Sequence, residues 1–278
     1  MRIAFVGPGR VCQALAPALA EVGHDVTVAG RHGGPPAWVS APLQWASRAA
    51  AVDAVELVFL TVPDDAIAAI AAELPWQPGV SAIHCSGALG PEVLRSAEEH
   101  GAATGCFHPL QTFAGGPAPL DGVTVAMEGD ASLAGVLSEL ARELGCKPLT
   151  LPPGRRAQYH AAAVFAGNYL VTLLAAASRL WADLGVDEAR ALQALAPLVH
   201  TTAANVERLG PRVALTGPIA RGDAGSIERH LAAIEGAAPD LAGLYRQLGL
   251  ATLPLTTLPD ANRRQLENIL QGASTPCA

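Results

Sequence analysis

The stretch "RIAFVGPGRVCQAL", residues 2–15, decides the fold class of this sequence. Its apolar beginning ends at a glycine, which is typical of a buried strand. The continuation "RVCQALAPALAEVG" has the periodicity of a helix that Gly23 closes. Gly7, Gly9 and Cys12 lie at the spacing of the G-x-G-x-x-G motif, after a strand and at the start of a helix. The stretch therefore predicts a dinucleotide-binding turn.

Each position of this turn has a physical role. Gly7 allows the tight turn, and Gly9 lets the backbone approach a pyrophosphate at the amino end of the helix. Pro8 removes one N–H donor but stiffens the loop, and Cys12 is small enough for helix–strand packing. The residues predicted to bind the cofactor are Gly7, Pro8, Gly9, Arg10 and Val11 in the loop, Arg31 after the second strand, and Val62 and Ser86 at the ends of later strands.

The end of the second strand discriminates between cofactors. An NAD-preferring domain carries an acidic residue about 20 positions beyond the glycines, where it holds the ribose 2′-hydroxyl. Here the chain reads "VAGRHGG", with Arg31 and His32 and no acid. A guanidinium suits a 2′-phosphate, so we predict NADP. The alternative is a solvated arginine in a mobile loop.

Strand and helix signals alternate as far as "KPLTL", which predicts a Rossmann-like α/β domain: a parallel sheet with helices on both faces. Pro152 and Pro153 mark a boundary, beyond which only helical patterns occur. We therefore expect an NADP-binding domain over 1–152 and an all-α domain for substrate binding and dimerisation over 153–278. The helical candidates of this second domain are 157–183, 187–209, 224–236, 238–248 and 260–271.

Composition excludes several classes of protein. Half of the 278 residues are hydrophobic and the net charge is −7, without a basic run, so we expect no nucleic-acid partner. Five scattered cysteines without metal-ligand spacing indicate reduced thiols in a cytoplasmic protein. Residues 161–178 carry no charge, but their central Gly167, Asn168 and Tyr169 favour a helix buried inside a soluble protein over a membrane span.

Polar side chains at strand ends are candidates for ligand contact. Ser86 follows one strand, and His108, Gln111 and Thr112 follow another, in "FHPLQTF". In such sheets ligands bind at the carboxyl ends of the strands. His108 is therefore predicted to face the nicotinamide, or else to bond a backbone carbonyl.

Two polar residues lie within the long apolar helix that the sequence predicts. His160 and Asn168 lie about 80° apart around the helix axis and about 12 Å apart along it, so they could line one cleft. The competing interpretation is a pair of polar residues that find partners inside a helix bundle.

The segment "ALTGPIARGD", residues 214–223, interrupts the helical pattern at Gly217-Pro218 and predicts a loop. Asp223 suits the N-cap of a helix that begins near Ala224. Arg221 has no such role and is well placed to bind a carboxylate or phosphate. Thr216 and Gly217 would supply hydroxyl and backbone contacts beside it.

The motifs "GPGRVCQAL", "FHPLQTF", "YHAAAVFAGNYL" and "ALTGPIARGD" together resemble oxidoreductases made of a Rossmann-like domain and the C-terminal domain of unknown function 2520. That family is similar to the wider group of 6-phosphogluconate, 3-hydroxyisobutyrate and ketopantoate dehydrogenases and pyrroline-5-carboxylate reductase. Some members are described as alternative ketopantoate reductases. The resemblance implies an NADPH-dependent enzyme and a homodimer.

The chain departs from those relatives at two positions. Where the ketopantoate and hydroxy-acid enzymes carry a proton-donating lysine, four residues before Asn168, this chain has Val164. His160, one turn earlier, is the obvious substitute. Cys12 stands where the wider group favours glycine or alanine.

We therefore expect NADPH-dependent reduction of a small carboxylate-bearing carbonyl compound, a ketopantoate-like 2-oxo acid being the first candidate. His160, or a water that it holds, would protonate the oxygen, with His108 near the nicotinamide. Asn168 would bind the same oxygen, Arg221 would pair with the carboxylate, and Ser86 and Gln111 would line the substrate site. An imine reductase, a hydroxy-acid dehydrogenase and a non-catalytic NADP-binding sensor remain alternatives.

Overall fold

The computed structural model describes residues 1–31, 34–114 and 118–272. The chain divides into two compact units, Met1–Gly167 and Asn168–Ala278. The division thus falls after Gly167 rather than after Pro152. The first unit includes a helix that the sequence pattern grouped with the helical domain, because that helix is bonded to the sheet domain through Arg156 and Tyr159.

The first unit contains an eight-stranded sheet in the order β3-β2-β1-β4-β5-β6-β7-β8. The strands are β1 Arg2–Val6, β2 Asp25–Gly30, β3 Gln44–Ser47, β4 Leu57–Leu60, β5 Ser81–His84, β6 Ala103–Pro109, β7 Thr124–Gly129 and β8 Lys147–Thr150. The helices of this unit are α1 Arg10–Glu21, α2 Arg48–Ala51, α3 Asp64–Glu73, α4 Arg95–Glu98, α5 Ala131–Glu143 and α6 Arg156–Ala166, with a 3₁₀ helix at Pro91–Leu94.

The predicted α/β class is confirmed, with one correction to the strand directions. Neighbouring strands are parallel from β3 to β6 and again between β7 and β8, but β6 and β7 are antiparallel. A parallel pair needs a long crossover, usually a helix. Residues 110–123 have no helical pattern, so β7 can return antiparallel beside β6.

Apolar side chains cover both faces of the sheet. One cluster joins α1 and α5 to the sheet around Phe5, Phe59 and Phe107, and the rings of Phe5 and Phe59 stack with centroids 4.9 Å apart. The other cluster joins α3 to the opposite face around Leu60 and Ile67. The central strands β1 and β4 are buried on both sides, which explains their continuous apolar sequences.

The short edge strand β3 lies in a region without a clear strand signal in the sequence. Its residues Gln44–Ser47 are at most half-buried and pair with β2 alone. An edge strand of this length buries too little to impose an alternating pattern.

The second unit is helical, as the sequence predicts. Its helices are α7 Asn168–Ala182, α8 Glu188–Leu209, α9 Pro211–Ala214, α10 Pro218–Arg221, α11 Ala224–Ala237, α12 Leu241–Thr252 and α13 Asp260–Gln271, with a 3₁₀ helix at Leu253–Leu255. A buried cluster around Ile227, Leu266 and Leu270 holds α11, α12 and α13 together.

The prediction that residues 161–178 are buried is wrong for the single chain. The helical run Arg156–Ala182 is long and apolar enough to cross a membrane by length and composition, yet only 6% of its apolar window is buried. In α7, Val171 is 68% exposed. The apolar side chains of this run are therefore mostly exposed.

The cysteines of the described residues are Cys12, Cys85, Cys106 and Cys146, all buried and without a disulfide. Cys277 lies outside the described residues.

Candidate active site

The turn between β1 and α1 requires glycine. Gly7 has a φ of +109°, and a Cβ there would lie 2.7 Å from Val62 Cγ1 and 2.8 Å from the Thr61 carbonyl oxygen. The Gly7 N–H donates to Ala29 O at 2.9 Å, and Thr61 Oγ1 donates to Gly7 O at 2.7 Å. The loop is therefore fixed by β2 on one side and by the end of β4 on the other.

The amino end of α1 is shaped to receive an anion. Its N-cap is Gly9, which makes no side-chain cap hydrogen bond, and the first turn contains no acidic residue. The free N–H groups and the helix dipole favour a phosphate at such an end. Arg10 is exposed beside it, with Nη1 3.5 Å from Phe113 O, and Pro8 and Val11 are half-buried.

Cys12, the third position of the motif, is fully buried between α1 and the sheet. Burial raises the pKa of its thiol to about 12, against a weaker opposing hydrogen bond from Thr61. Cys12 is therefore a packing residue, as the spacing predicts for a small side chain at this position.

Arg31 directly follows β2 and is exposed. Its guanidinium makes no hydrogen bond or ion pair with any residue that the structure describes. The ring of Trp45 lies against Gly30, where a Cβ would be 2.5 Å from a ring carbon. His32 lies outside the described residues. An open glycine turn, an uncapped helix end and an available arginine fit a dinucleotide with a 2′-phosphate.

Two imidazoles converge above Gly87, just beyond β5. A Cβ on Gly87 would lie 2.8 Å from His108 Nε2, and closer still to His160 Nδ1. His108 belongs to the end of β6 and His160 to α6. His160 Nδ1 is buried and has no hydrogen-bond partner within the described part of the chain. Because β1, β4, β5 and β6 are parallel, the Gly7 loop and this histidine pair lie at the same edge of the sheet.

His108 has a second partner on its other nitrogen. Its Nδ1 lies 2.8 Å from the hydroxyl of Tyr159, and the two rings meet edge to face. Burial, and then the positive charge of Arg156, lower the pKa of His108 to about 4. Burial raises the pKa of Tyr159, and Arg156 opposes that rise. At neutral pH the pair therefore consists of a neutral imidazole and a neutral phenol.

The hydroxyl of Ser86 is fully used within the protein. It donates to Asp64 Oδ2 at 2.8 Å and accepts the N–H groups of Ala88 and Leu89 at 3.2 and 3.1 Å. Sequence reasoning placed Ser86 in contact with substrate and cofactor. The geometry instead assigns its hydroxyl to holding the turn that carries Gly87.

A buried arginine lies behind this turn. Arg156 donates from Nη2 to Ser86 O at 2.7 Å, and its Nη1 lies 3.9 Å from Glu128 Oε2. The two side chains are 3% and 9% exposed. Nε and Nη1 of Arg156 have no hydrogen-bond partner among the described residues. Arg156 thus places a buried positive charge near His108 and Tyr159.

His84, at the end of β5, is fixed as a neutral side chain. Its Nδ1 accepts the Ser86 N–H at 3.1 Å, which places the proton on Nε2, and Nε2 donates to Gly90 O at 3.0 Å. Cys106 Sγ lies 3.1 Å from the same Nε2. Burial lowers the pKa of His84 to about 4. These contacts of His84 join the end of β5 to the turn that follows it.

The other residues predicted to bind substrate lie in the loop after β6 and in the helical unit. Gln111 bonds within its own loop, to Pro119 O and the Thr112 N–H. Asn168 begins α7 and is exposed. Thr216 is exposed, Gly217 caps the short helix α10 with a φ of +92°, and Arg221 ends α10 and interacts electrostatically with Asp223.

One detail of segment 214–223 is corrected and another confirmed. Part of the predicted loop is the one-turn helix α10, because Pro218 suits the first position of a helix. Asp223 caps α11 as predicted, accepting the Ser226 N–H at 3.0 Å.

Sequence reasoning did not single out Tyr159, Arg156, Asp64 or His84. Tyr159 stands beside His160 in a quoted motif, but its partner His108 is 51 positions away in the chain. The available signal was the concentration of polar side chains from Arg156 to His160 at the start of α6.

Comparison with known proteins defines the class. Residues 1–109 match the Rossmann-like domain family, and residues 123–252 match the family described as Domain of unknown function (DUF2520). The chain is thus a two-domain protein, a Rossmann-like domain followed by a DUF2520 domain. The second match begins at β7, so it includes part of the sheet as well as the helical unit. No curated protein matches the chain in sequence.

Solved structures share the fold. A candidate NADP oxidoreductase from Bacteroides fragilis is 23% identical with a TM-score of 0.74, over 91% of this chain and 98% of that one. A 1-pyrroline-5-carboxylate reductase from Streptococcus pyogenes is 17% identical with a TM-score of 0.64, over 96% and 98%. A reductive aminase from Aspergillus terreus, in complex with NADPH4, cyclohexanone and allyl amine, is 19% identical with a TM-score of 0.61, over 98% and 93%.

Proposed function

We propose that this protein is an NADPH-dependent reductase of a small carboxylate-bearing carbonyl compound, with a ketopantoate-like 2-oxo acid as the first candidate substrate. The observation that carries the proposal is the convergence of His108 Nε2 and His160 Nδ1 above Gly87. This pair lies at the same sheet edge as the Gly7 turn, where ligands bind in sheets of this type.

The chain's own groups define how the cofactor is held. The Gly7–Gly9 turn and the uncapped end of α1 take the pyrophosphate, with Pro8, Arg10, Val11 and Val62 around it, and Arg31 takes the 2′-phosphate. NADPH, when bound, supplies the hydride. The structures of the Streptococcus and Aspergillus proteins share this fold, and the latter contains NADPH4.

The two histidines act on the reacting oxygen of the substrate. The two imidazoles pack edge to face with their centroids 6.0 Å apart, and one nitrogen of each lies against Gly87, so we propose that both nitrogens hydrogen-bond that oxygen when the substrate is bound. Val164 provides no proton, and we propose the imidazoles of His160 on α6 and His108 on β6 as the acid–base groups next to the substrate oxygen. A proton donated at this step is typically worth about 10²–10⁴ in rate.

Residues of the helical unit are proposed to select the substrate. Arg221, at the end of α10, interacts electrostatically with Asp223 and would pair with the carboxylate, with Thr216 and Gly217 beside it. Asn168 would bind the carbonyl or hydroxyl oxygen, and Gln111 remains a candidate lining residue of the sheet domain.

A homodimer is part of the proposal. The helical unit exposes large apolar side chains, among them Val171 at 68%, Leu198 at 64% and Val213 at 69%. A second copy of the chain would cover this surface, since monomers rarely expose extended apolar patches.

The test is a panel of substrates with purified protein and NADPH, read by the loss of NADPH absorbance. The panel contains 2-oxo acids, the same carbonyl compounds without a carboxylate, and cyclic imines, and a reverse assay contains hydroxy acids with NADP⁺. We expect turnover of a carboxylate-bearing carbonyl and little of its uncharged analogue. Preferential turnover of an imine would instead identify an imine reductase, and NADPH binding without any turnover would identify a sensor.

Two variants connect the activity to the site. Gly87→Ala adds a Cβ where both imidazole nitrogens lie and should abolish turnover. Gly135→Ala, where a Cβ meets no atom within 4 Å, is the matched control and should keep it.

A further inference from the structure

We propose that Tyr159 is the proton source of the reaction and that His108 carries its proton to the substrate. This inference rests on the proposed reductase function and specifies one step of it.

The geometry gives the two nitrogens of His108 different tasks. Nδ1 lies 2.8 Å from Tyr159 Oη, whereas Nε2 lies against Gly87, 2.8 Å from the position that a Cβ there would take. We assign the phenol as donor to Nδ1, which places the imidazole proton on Nε2, facing the site. Tyr159 as a whole is half-buried.

His160 lacks this arrangement. Its Nδ1 also lies against Gly87 but is buried without a hydrogen-bond partner among the residues described. It can hold the substrate oxygen, but no second donor is connected to that nitrogen. Among the described residues, His108 is therefore the imidazole of this pair that contacts a second proton donor, the Tyr159 hydroxyl.

A relay is needed because the imidazole of His108 is neutral at pH 7. The charged and titratable groups facing His108 are Arg156, Tyr159 and His160 on α6, Asp64 on α3 and His84 on β5. Burial and the Arg156 cation outweigh Asp64 and lower the pKa of His108 to about 4. A neutral imidazole can give up its Nε2 proton only if Nδ1 gains one at the same time.

The step balances in protons. The alkoxide oxygen left by reduction of the carbonyl takes the proton of His108 Nε2, while Nδ1 takes the proton of Tyr159 Oη. The imidazole stays neutral in its other tautomer, and a phenolate remains near the Arg156 guanidinium, which stabilises negative charge on Tyr159. After product release, Nδ1 returns its proton to the phenolate while Nε2 takes up a proton from solvent, which is the one proton that each turnover consumes.

The first readout is independent of activity. In ¹⁵N-labelled full-length protein at pH 7, imidazole nitrogen shifts should show His108 protonated on Nε2. Tyr159→Phe should abolish this tautomer preference. Tyr245→Phe is the matched control, because Tyr245 Oη makes the same 2.8 Å contact with His230 Nδ1 in the helical unit. Tyr245→Phe should leave the tautomer preference of His108 unchanged.

The second readout is kinetic. Tyr159→Phe should lower kcat by about 10²–10⁴ with little change in KM or NADPH affinity, and Tyr245→Phe should not. A wild-type His108 protonated on Nδ1, or a Tyr159→Phe variant with wild-type kcat, would overturn the relay and leave the reductase intact. A wild-type protein that turns over no carbonyl compound overturns the reductase and the relay together.

Discussion

The hydroxyl of Tyr159 lies 2.8 Å from Nδ1 of His108, although 51 positions separate the two residues in the chain. The contact joins the end of β6 to α6, and Arg156 on the same helix donates to Ser86 O beside the Gly87 turn. Helix α6 therefore completes the site at the sheet edge. This is why the compact unit extends to Gly167 instead of ending at Pro152.

Gly7→Ala should destabilise the protein by about 1–3 kcal/mol and abolish NADPH binding, because the new Cβ would press on Val62 and Thr61 at a positive φ. Gly23 also has a positive φ, of +97°, but a Cβ there meets nothing within 4 Å. Gly23→Ala should therefore lower the unfolding temperature slightly and leave binding unchanged. Equal binding losses in the two variants would refute the proposed role of the turn.

Arg31→Ala should weaken NADPH binding about 10- to 100-fold, since a hydrogen bond to a charged group contributes about 1.5–3 kcal/mol. NADH, which lacks the 2′-phosphate, should bind the variant and the wild type alike. Arg142→Ala changes another exposed arginine, in the last turn of α5, and serves as the control for net charge. Fluorescence titration with each cofactor measures the effect, and an unchanged NADPH affinity would remove Arg31 from the site.

Local features of the site were predictable from the sequence, and long-range contacts were not. The Gly7 turn follows from one strand, one helix and a glycine spacing, and His108 follows from its position at a strand end. The Tyr159–His108 contact depends on how α6 packs on the sheet, which no local pattern encodes. The antiparallel direction of β7 and the edge strand β3 were not predicted for a related reason, because strand direction and edge pairing depend on partners that are distant in sequence.

Arg156→Met should lower the free energy of unfolding by about 3 kcal/mol, because Glu128 would lose its buried positive partner. The double change Arg156→Met with Glu128→Met removes both charges and should recover most of that loss. Urea unfolding of the three proteins at pH 7 measures this. A double variant less stable than Arg156→Met would show that the two charges do not act as a pair.

Stability should fall as the pH decreases from about 6.5 to 4, because His84 is held neutral in the folded state. Its folded pKa of about 4 lies below the unfolded value of 6.5, so the unfolded chain binds more protons throughout that window. The contribution is about 3 kcal/mol at most. Urea unfolding at pH 7 and pH 4.5 should show that His84→Gln loses less unfolding free energy between the two pH values than the wild type does. The His100→Asn variant, changed at an exposed histidine, should lose as much unfolding free energy between these pH values as the wild type does. If the unfolding free energy of the wild type did not change with pH, His84 would not be held neutral by folding.

Val171→Glu combined with Leu198→Glu should convert a dimer to a monomer, because both residues lie exposed on apolar helices of the second unit. Val22→Glu, at an exposed apolar residue after α1, is the control and should leave the dimer intact. Light scattering coupled to gel filtration gives the mass. A wild-type monomer would refute the dimer, and detergent-dependent solubility would indicate a membrane partner instead.

Transfer of an isotopic label is the most direct test of hydride transfer from NADPH to a carboxylate-bearing carbonyl. The purified protein is incubated with a ketopantoate-like 2-oxo acid and NADPH carrying deuterium at the transferred position of C4, and the product is analysed by mass spectrometry. We expect a hydroxy acid in which the carbonyl carbon has gained deuterium, formed by the wild type and by Gly135→Ala but not by Gly87→Ala. Unlabelled product, or NADPH left unchanged with every 2-oxo acid, would contradict the account.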